Sequence, residues 1–277
     1  MWNLCPLRCA MFPRMFLSLI DPKPFVDTLT RHPRVSIRTG QPQIEPTDDT
    51  PIDLTGGFFN LKLAEHYNTT LAGKKVLFVC DIRSTIDHEA INDNQIRQAK
   101  WHTALKPEYS LLKFRIPRIP KDISVKEPEY ANDDYKDQYE YFAGILQIQM
   151  FNVQSSTETR LVVPKVCRQT TWSLYYHEGK MMKFNRIYRA KCYNNPHRNM
   201  SLGIDNCFDC TYMCRLIDTY FKKFNSSLEA NSELKNMKAV LNDLNNTVGL
   251  YKKLKHPEYK FLMKGKSGKY KLVNHYK

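Results

Sequence analysis

The sequence predicts an α/β fold, a doubly wound sheet flanked by helices, with further helices appended at the C-terminal end. Three observations lead there. Lys74–Ile82, KKVLFVCDI, is a continuous apolar run rather than an alternating one, the pattern of a strand covered on both faces in a parallel sheet. It is followed by a predicted helix over Glu89–Leu105 and a second strand over Tyr109–Ile116, and strand, helix, strand at this spacing is the signature of a βαβ unit. Finally, Asp205–Phe224 and Ser232–Tyr251 carry apolar residues at helical spacing.

Taken in order, the first element is Met15–Ile20, a short apolar run that reads as a buried strand opening into a loop at Asp21-Pro22. Arg34–Arg38 reads as a second short strand, and the Pro-, Asp- and Thr-rich stretch from Gly40 to Thr55 as loop. After KKVLFVCDI, the helix over Glu89–Leu105 is polar enough to face solvent and stops near Pro107, while Pro117 ends the next strand. Ala143–Val153 and Thr159–Val166 are two further strand candidates. From Lys252 the chain is Lys-rich and is expected to be extended or only partly ordered.

A sheet that binds a nucleotide-like cofactor usually has a Gly-rich turn after its first strand, where backbone approaches ligand. The chain has only 10 glycines and no GxG, and Gly56-Gly57 follows no strand-like run. A complete cofactor turn is therefore not expected.

The 277 residues suffice for one large domain or two small ones with a real core. Charge is the unusual quantity. With 42 Lys+Arg against 28 Asp+Glu, the formal net charge is +14, which points to a polyanionic partner because each neutralised phosphate releases counterions. Eight cysteines are too few for a disulfide scaffold in a chain of this length, so a reducing compartment fits. The apolar-leaning run Met1–Ile20 is interrupted by Pro6, Arg8, Pro13 and Arg14, so no membrane span is expected, and without a clean small-residue cleavage site it is a weak match to a signal peptide.

Three polar residues stand at predicted strand ends. Asp81 closes KKVLFVCDI, Lys113 lies inside SLLKFRIP among Leu111, Leu112 and Phe114, and Glu158 opens the strand of STETRLVVP. Open α/β sheets place ligands at the carboxyl ends of their strands. A lysine within an apolar strand is costly unless paired. Two acids gathered around it form either a polar catalytic cluster or a structural ion-pair group, and spacing alone leaves both open.

VCDIRS, SLLKFRIP and STETRLVV, in this order, resemble the poxvirus-type cap-specific mRNA (nucleoside-2′-O-)methyltransferases of large DNA viruses, whose members double as regulatory subunits of a poly(A) polymerase. LIDPKPF upstream is similar to the family's second strand, and YHEGKMMKFNRIYRAK downstream to its Tyr-Glu-x-Lys-Met region. The likeness runs roughly from Phe16 to Tyr220 and is patchy between Gly40 and Lys74.

This resemblance implies a Rossmann-like class I methyltransferase sheet lacking its first strand and Gly-rich loop. Residues 1–226 would be an incomplete methyltransferase domain, and 227–277 a C-terminal helix and basic tail. It implies S-adenosylmethionine as cofactor, held by Asp21, Asp81 and Ile82. Methyl transfer to the 2′-oxygen of the first transcribed nucleotide would fall to Asp81, Lys113 and Glu158, three members of a Lys-Asp-Lys-Glu tetrad whose first lysine is expected to be missing. A free lysine titrates at about 10.4, so a lysine base working near neutrality needs burial or a neighbouring cation. Glu178, Arg115 and Arg160 are the implied cap and RNA contacts. Implied partners are capped mRNA and a poly(A) polymerase catalytic subunit or another capping subunit, with no membrane, in the host cytoplasm (the viral factory) or the virion. The rival expectation is a non-catalytic RNA-binding subunit.

The chain departs from the family at the cap site. Arg118 and Ser155 stand where the family has aromatic rings, and Pro120 where it has an acid; Tyr130, Tyr135 or Tyr139 are the aromatic substitutes expected to stack on a cationic base. Cys207, Cys210 and Cys214, with Cys192 and His197 nearby, invite a zinc reading. They continue into Met213, Ile217, Tyr220, Phe221 and Phe224 at helical spacing, so a buried helix face is expected instead and no metal. No HExxH and no nucleophile elbow occur, so hydrolysis has no support. Leu234, Met237, Leu241, Leu244 and Val248 suit packing against the domain. The tail Lys252–Lys277, with nine lysines among Tyr259, Phe261, Tyr270 and Tyr276, suits single-stranded RNA.

Overall fold

A computed structural model of the chain describes residues 17–21, 35–39, 52–85, 87–121, 135–153, 155–189, 191–199, 204–224, 239–242, 260–264 and 270–274. The protein is mixed α/β, and among the described residues its strands fall into four small sheets, without the single doubly wound sheet expected from the sequence. The chain divides into two units, Asn60–Arg186 and the segments Met1–Phe59 with Ile187–Lys277.

In the second of these units, β1 (Leu17–Asp21) and β2 (Val35–Thr39) flank β3 (Ile52–Gly56), all parallel. The first two strands match expectation. The third corrects it, because the stretch read as loop supplies the middle strand of the sheet. Ile52 and Leu54 alternating with Asp53 and Thr55 is the period-two signal that the surrounding prolines and acids obscured. Gly56-Gly57 therefore does follow a strand, and Gly57 takes φ +150°, a conformation open to glycine.

Within Asn60–Arg186, Asn60 caps α1 (Leu61–Thr70), its side chain accepting the Leu63 N–H. The chain then enters β4 (Leu77–Cys80), passes through α2 (His88–Leu105), capped by Asp87, and returns as β5 (Tyr109–Phe114) parallel to β4. Next come β6 (Gln138–Phe142), β7 (Ile145–Ile148), β8 (Thr159–Pro164) and β9 (Gln169–Ser173). The sheet order is β4-β5-β8-β7, with β8 antiparallel to both neighbours, while β6 and β9 form a separate antiparallel ribbon. Gly144 joins β6 to β7, and a Cβ there would stand 2.4 Å from the Val162 carbonyl oxygen, so the turn admits only glycine. Helix α3 (Leu174–Lys183) follows, running into a π-helical turn at Phe184–Tyr188.

The core lies on one face of this sheet. Ser110, Leu112 and Phe114 of β5 and Thr159, Leu161 and Val163 of β8 are buried. Phe114 packs on Tyr141 of β6, Trp172 of β9 and His177 of α3 at centroid distances of 5.7, 5.1 and 5.6 Å. Alternation puts Lys113 and Arg160, which are register partners, on the opposite face. On that face Leu77 is 61% exposed, Val79 42% and Ile145 70%. The expectation that KKVLFVCDI is covered on both faces is thus corrected: β4 is an edge strand covered on one.

Helix α2 corrects a second expectation. Its amides face inward, with Asn94, Gln95, Gln98 and His102 all buried. Gln98 bonds both the N–H and the carbonyl of Lys113 (3.0 and 3.2 Å), Gln95 accepts the Arg115 N–H at 3.0 Å, and His102 bonds Ser110 at 2.7 Å. The β4 partner of β5 ends opposite Leu112, so backbone groups beyond it need other partners, and the α2 amides supply them.

In the other unit, α4 (Phe208–Phe224) buries Cys210, Met213 and Cys214 behind Cys207, the apolar face its spacing predicted. Arg189 and Asp209, each 1% exposed, form a buried ion pair. Strands β10 (Lys260–Lys264) and β11 (Tyr270–Asn274) make an antiparallel hairpin in the basic tail. Of the predicted helix Ser232–Tyr251, residues 239–242 are helical; its remainder, Tyr130 and the expected boundary at 226 lie outside the described residues.

Candidate functional site

Asp81 follows β4 directly, Lys113 is the penultimate residue of β5, and Glu158 immediately precedes β8. Because β8 runs antiparallel, its start lies at the carboxyl ends of β4 and β5. Three residues that are far apart in sequence meet there for this topological reason. Lys113 Nζ stands 3.1 Å from Asp81 Oδ1 and 3.6 Å from Glu158 Oε1.

Two arginines complete the group. Arg160 Nη2 lies 2.7 Å from the same Asp81 Oδ1 and 4.0 Å from Glu158 Oε1, and Arg83 donates to Glu158 Oε2 at 3.0 Å. Arg160, expected at the RNA surface, is thus part of the cluster. Lys113 and Arg160 sit directly across from each other, a like-charged pairing that is unfavourable by itself; Asp81, reaching over from the next strand end, holds both. Burial works against the charge of Asp81, but the Arg160 guanidinium and Lys113 ammonium outweigh it and hold its carboxyl below the ordinary value. Three cations share two carboxylates. Three guanidinium nitrogens, Arg83 Nη1, Arg160 Nη1 and Arg115 Nε, are buried without a hydrogen-bond partner, and burial lowers the pKa of Arg115.

The expected cap residues form a second group. Arg118 grips Glu178 with two bonds, 3.4 and 2.9 Å, and its guanidinium lies 5.8 Å from the Tyr135 ring. Burial, with Arg115 and Arg118 close by, depresses the pKa of His88, whose Nδ1 accepts the Arg118 N–H at 3.0 Å. Tyr139 cannot serve as a stacking ring, since it is buried in β6 with its hydroxyl accepting from Gln95 at 2.9 Å. Ser155 is exposed, and Pro120 bridges to Tyr135.

Asp21 closes β1 and belongs to the unit with the three-stranded sheet, whereas Asp81 and Ile82 belong to Asn60–Arg186. A shallow depression lined by Leu61, Ala99, Thr103, Ala104 and Phe142 contains none of the cluster residues. Sequence reasoning missed Arg83, Gln95 and Gln98. Arg83 lies two residues beyond Asp81 and could have been read from VCDIRS; the amides gave no signal, since glutamines on a predicted surface helix are ordinary. No helix among the described residues is long and apolar enough to cross a membrane. No family model matches the chain, and no curated protein matches it in sequence.

Proposed function

We propose that the chain methylates the ribose 2′-oxygen of the first transcribed nucleotide of capped mRNA, using S-adenosylmethionine. The observation that carries this reading is Lys113 Nζ held between Asp81 and Glu158 at the carboxyl ends of two parallel strands, where such sheets bind ligands.

Lys113 positions or accepts the proton of the 2′-hydroxyl, and the two carboxylates fix its Nζ for that task. Arg160 shares Asp81 Oδ1 with Lys113 and so supplies a cation beside Lys113, the place the resemblance gives to a further lysine. Asp81 suits a ligand as well as the lysine: both cations sit on Oδ1, and 35% of its side chain remains exposed. Asp81 and Ile82 would hold S-adenosylmethionine, which when bound supplies the methyl group. The cations gathered at this strand end, Arg83, Lys113 and Arg160, suit a polyanionic substrate, in keeping with the net charge of +14.

A second reading, a non-catalytic RNA-binding subunit such as a poly(A) polymerase processivity partner, is favoured by one observation. Glu178, the acid expected to read the guanine edge, is engaged by Arg118. Radiolabelled methyl transfer to a short m7G-capped RNA separates the two. Label at the 2′-oxygen, abolished by Lys113→Ala, supports the enzyme; RNA binding without transfer supports the subunit.

A further inference from the structure

Outside the lysine cluster, the start of α4 gathers a different set of side chains. Among the described residues, ligand atoms of Asp205, Cys207 and Cys210 lie within 4.8 Å of one another. Cys207 and Cys210 are buried, Asp205 is half-buried, and neither cysteine is in a disulfide. The D-x-C-x-x-C spacing places Asp205 and Cys207 just before the helix and Cys210 on its first turn.

The scaffold around them is already fixed. Asp205 Oδ1 accepts the Cys207 N–H at 2.8 Å, and Cys207 Sγ accepts the Cys210 N–H at 3.4 Å. Asp209, between the two thiols, is tied to Arg189, whose guanidinium lies 5.8 Å from the Phe208 ring. Tyr193 donates to the Asn206 carbonyl at 2.7 Å, tethering the loop of Cys192, an exposed thiol, beside the same turn.

We propose that Asp205, Cys207 and Cys210 bind a zinc ion, with water or Cys192 in the fourth position. Two thiolates and one carboxylate are ligands that zinc accepts, and soft sulfur selects it over magnesium or calcium. Ligands of one tetrahedral zinc stand roughly 3.6 Å apart, so the trio closes by about 1 Å through side-chain rotation. The apolar face of α4 and the metal site are compatible, because the same spacing that buries the thiols aligns them. The ion would join the 191–207 loop to the helix start and stabilise this unit, since metal binding free energy adds to folding.

The test uses the full chain, purified under reducing conditions without chelator. Expected are one zinc per chain by elemental analysis and, after stripping and titration with cobalt(II), a thiolate-to-cobalt charge-transfer band. Cys210→Ser abolishes that band, whereas Cys214→Ser, on the same buried face but outside the trio, keeps it. Should Cys210→Ser fail to fold, Asp205→Asn, which leaves both thiols in place, weakens cobalt affinity by at least ~10-fold. A folded wild-type chain with neither zinc nor a cobalt band overturns the proposal, as does a Cys207–Cys210 disulfide in the reduced preparation or an Asp205→Asn variant of unchanged affinity.

Discussion

Replacing Glu158 with glutamine and Lys113 with methionine, in separate variants, perturbs one ion cluster in opposite directions. The cluster holds three cations, Arg83, Lys113 and Arg160, on two carboxylates, Asp81 and Glu158. Glu158→Gln removes the carboxylate that Arg83 pairs with at 3.0 Å and leaves all three cations to Asp81 alone. Stranding a buried charge costs about 3–5 kcal/mol when no water reaches it; with side chains 13–17% exposed, about 2–3 kcal/mol is the expected loss. Lys113→Met leaves Asp81 to Arg160 and Glu158 to Arg83 and removes a like charge from across Arg160, so stability changes by less than about 1 kcal/mol. Urea denaturation followed by circular dichroism measures both. If Lys113→Met proves the more destabilising of the two, the count of charges is wrong and Lys113 is a structural strut. If the predicted order holds, the lysine is retained for something other than stability, and the loss of methyl transfer in Lys113→Ala, expected at ~10²–10⁴-fold for a proton-handling group, identifies what.

Burial lowers the pKa of His88, His102 and His177 below the ordinary 6.5. The unfolded chain therefore takes up protons that the folded chain refuses, and stability falls as pH drops through the window below 6.5, so the urea midpoint at about pH 5.5 lies below that at about pH 7.5. Cys80 is buried beside Asp81 with its thiol pushed up to about 12, whereas Cys192 is exposed; alkylation of the native chain at neutral pH labels Cys192 and spares Cys80, as mass spectrometry will read. Arg118→Ala releases Glu178 from its two-bonded partner, and competition binding then shows a stronger preference for m7G-capped over uncapped RNA; an unchanged ratio separates Glu178 from the cap. Gly144→Ala drives a methyl into the Val162 carbonyl, 2.4 Å away, and lowers the melting temperature by several degrees, a loss of roughly 1–3 kcal/mol.

Much of the Asn60–Arg186 unit is legible in the sequence. Strong apolar runs locate β4, β5 and β8 to within three residues at each end, and α2 starts one residue from its expected place. Asp81, Lys113 and Glu158 are readable because each breaks the pattern of its strand. What escapes is long-range. Nothing in STETRLVV states that its strand runs antiparallel to SLLKF, and that orientation alone puts Arg160 opposite Lys113. The inward amides of α2 look like surface residues because their partners are backbone groups freed where β4 stops. Strand β6 has no expectation behind it, because Tyr139, read from the sequence as a stacking ring, fits a half-buried strand equally well.

The open flank of β4 has a consequence for how the protein behaves in the test tube. No described strand pairs along its outer side, and Leu77 and Val79 are exposed on the sheet face beside it. Such an edge is a template onto which another copy can lay a strand. Losses during refolding will rise with protein concentration, and arginine or a lysine introduced at Val79 will suppress them.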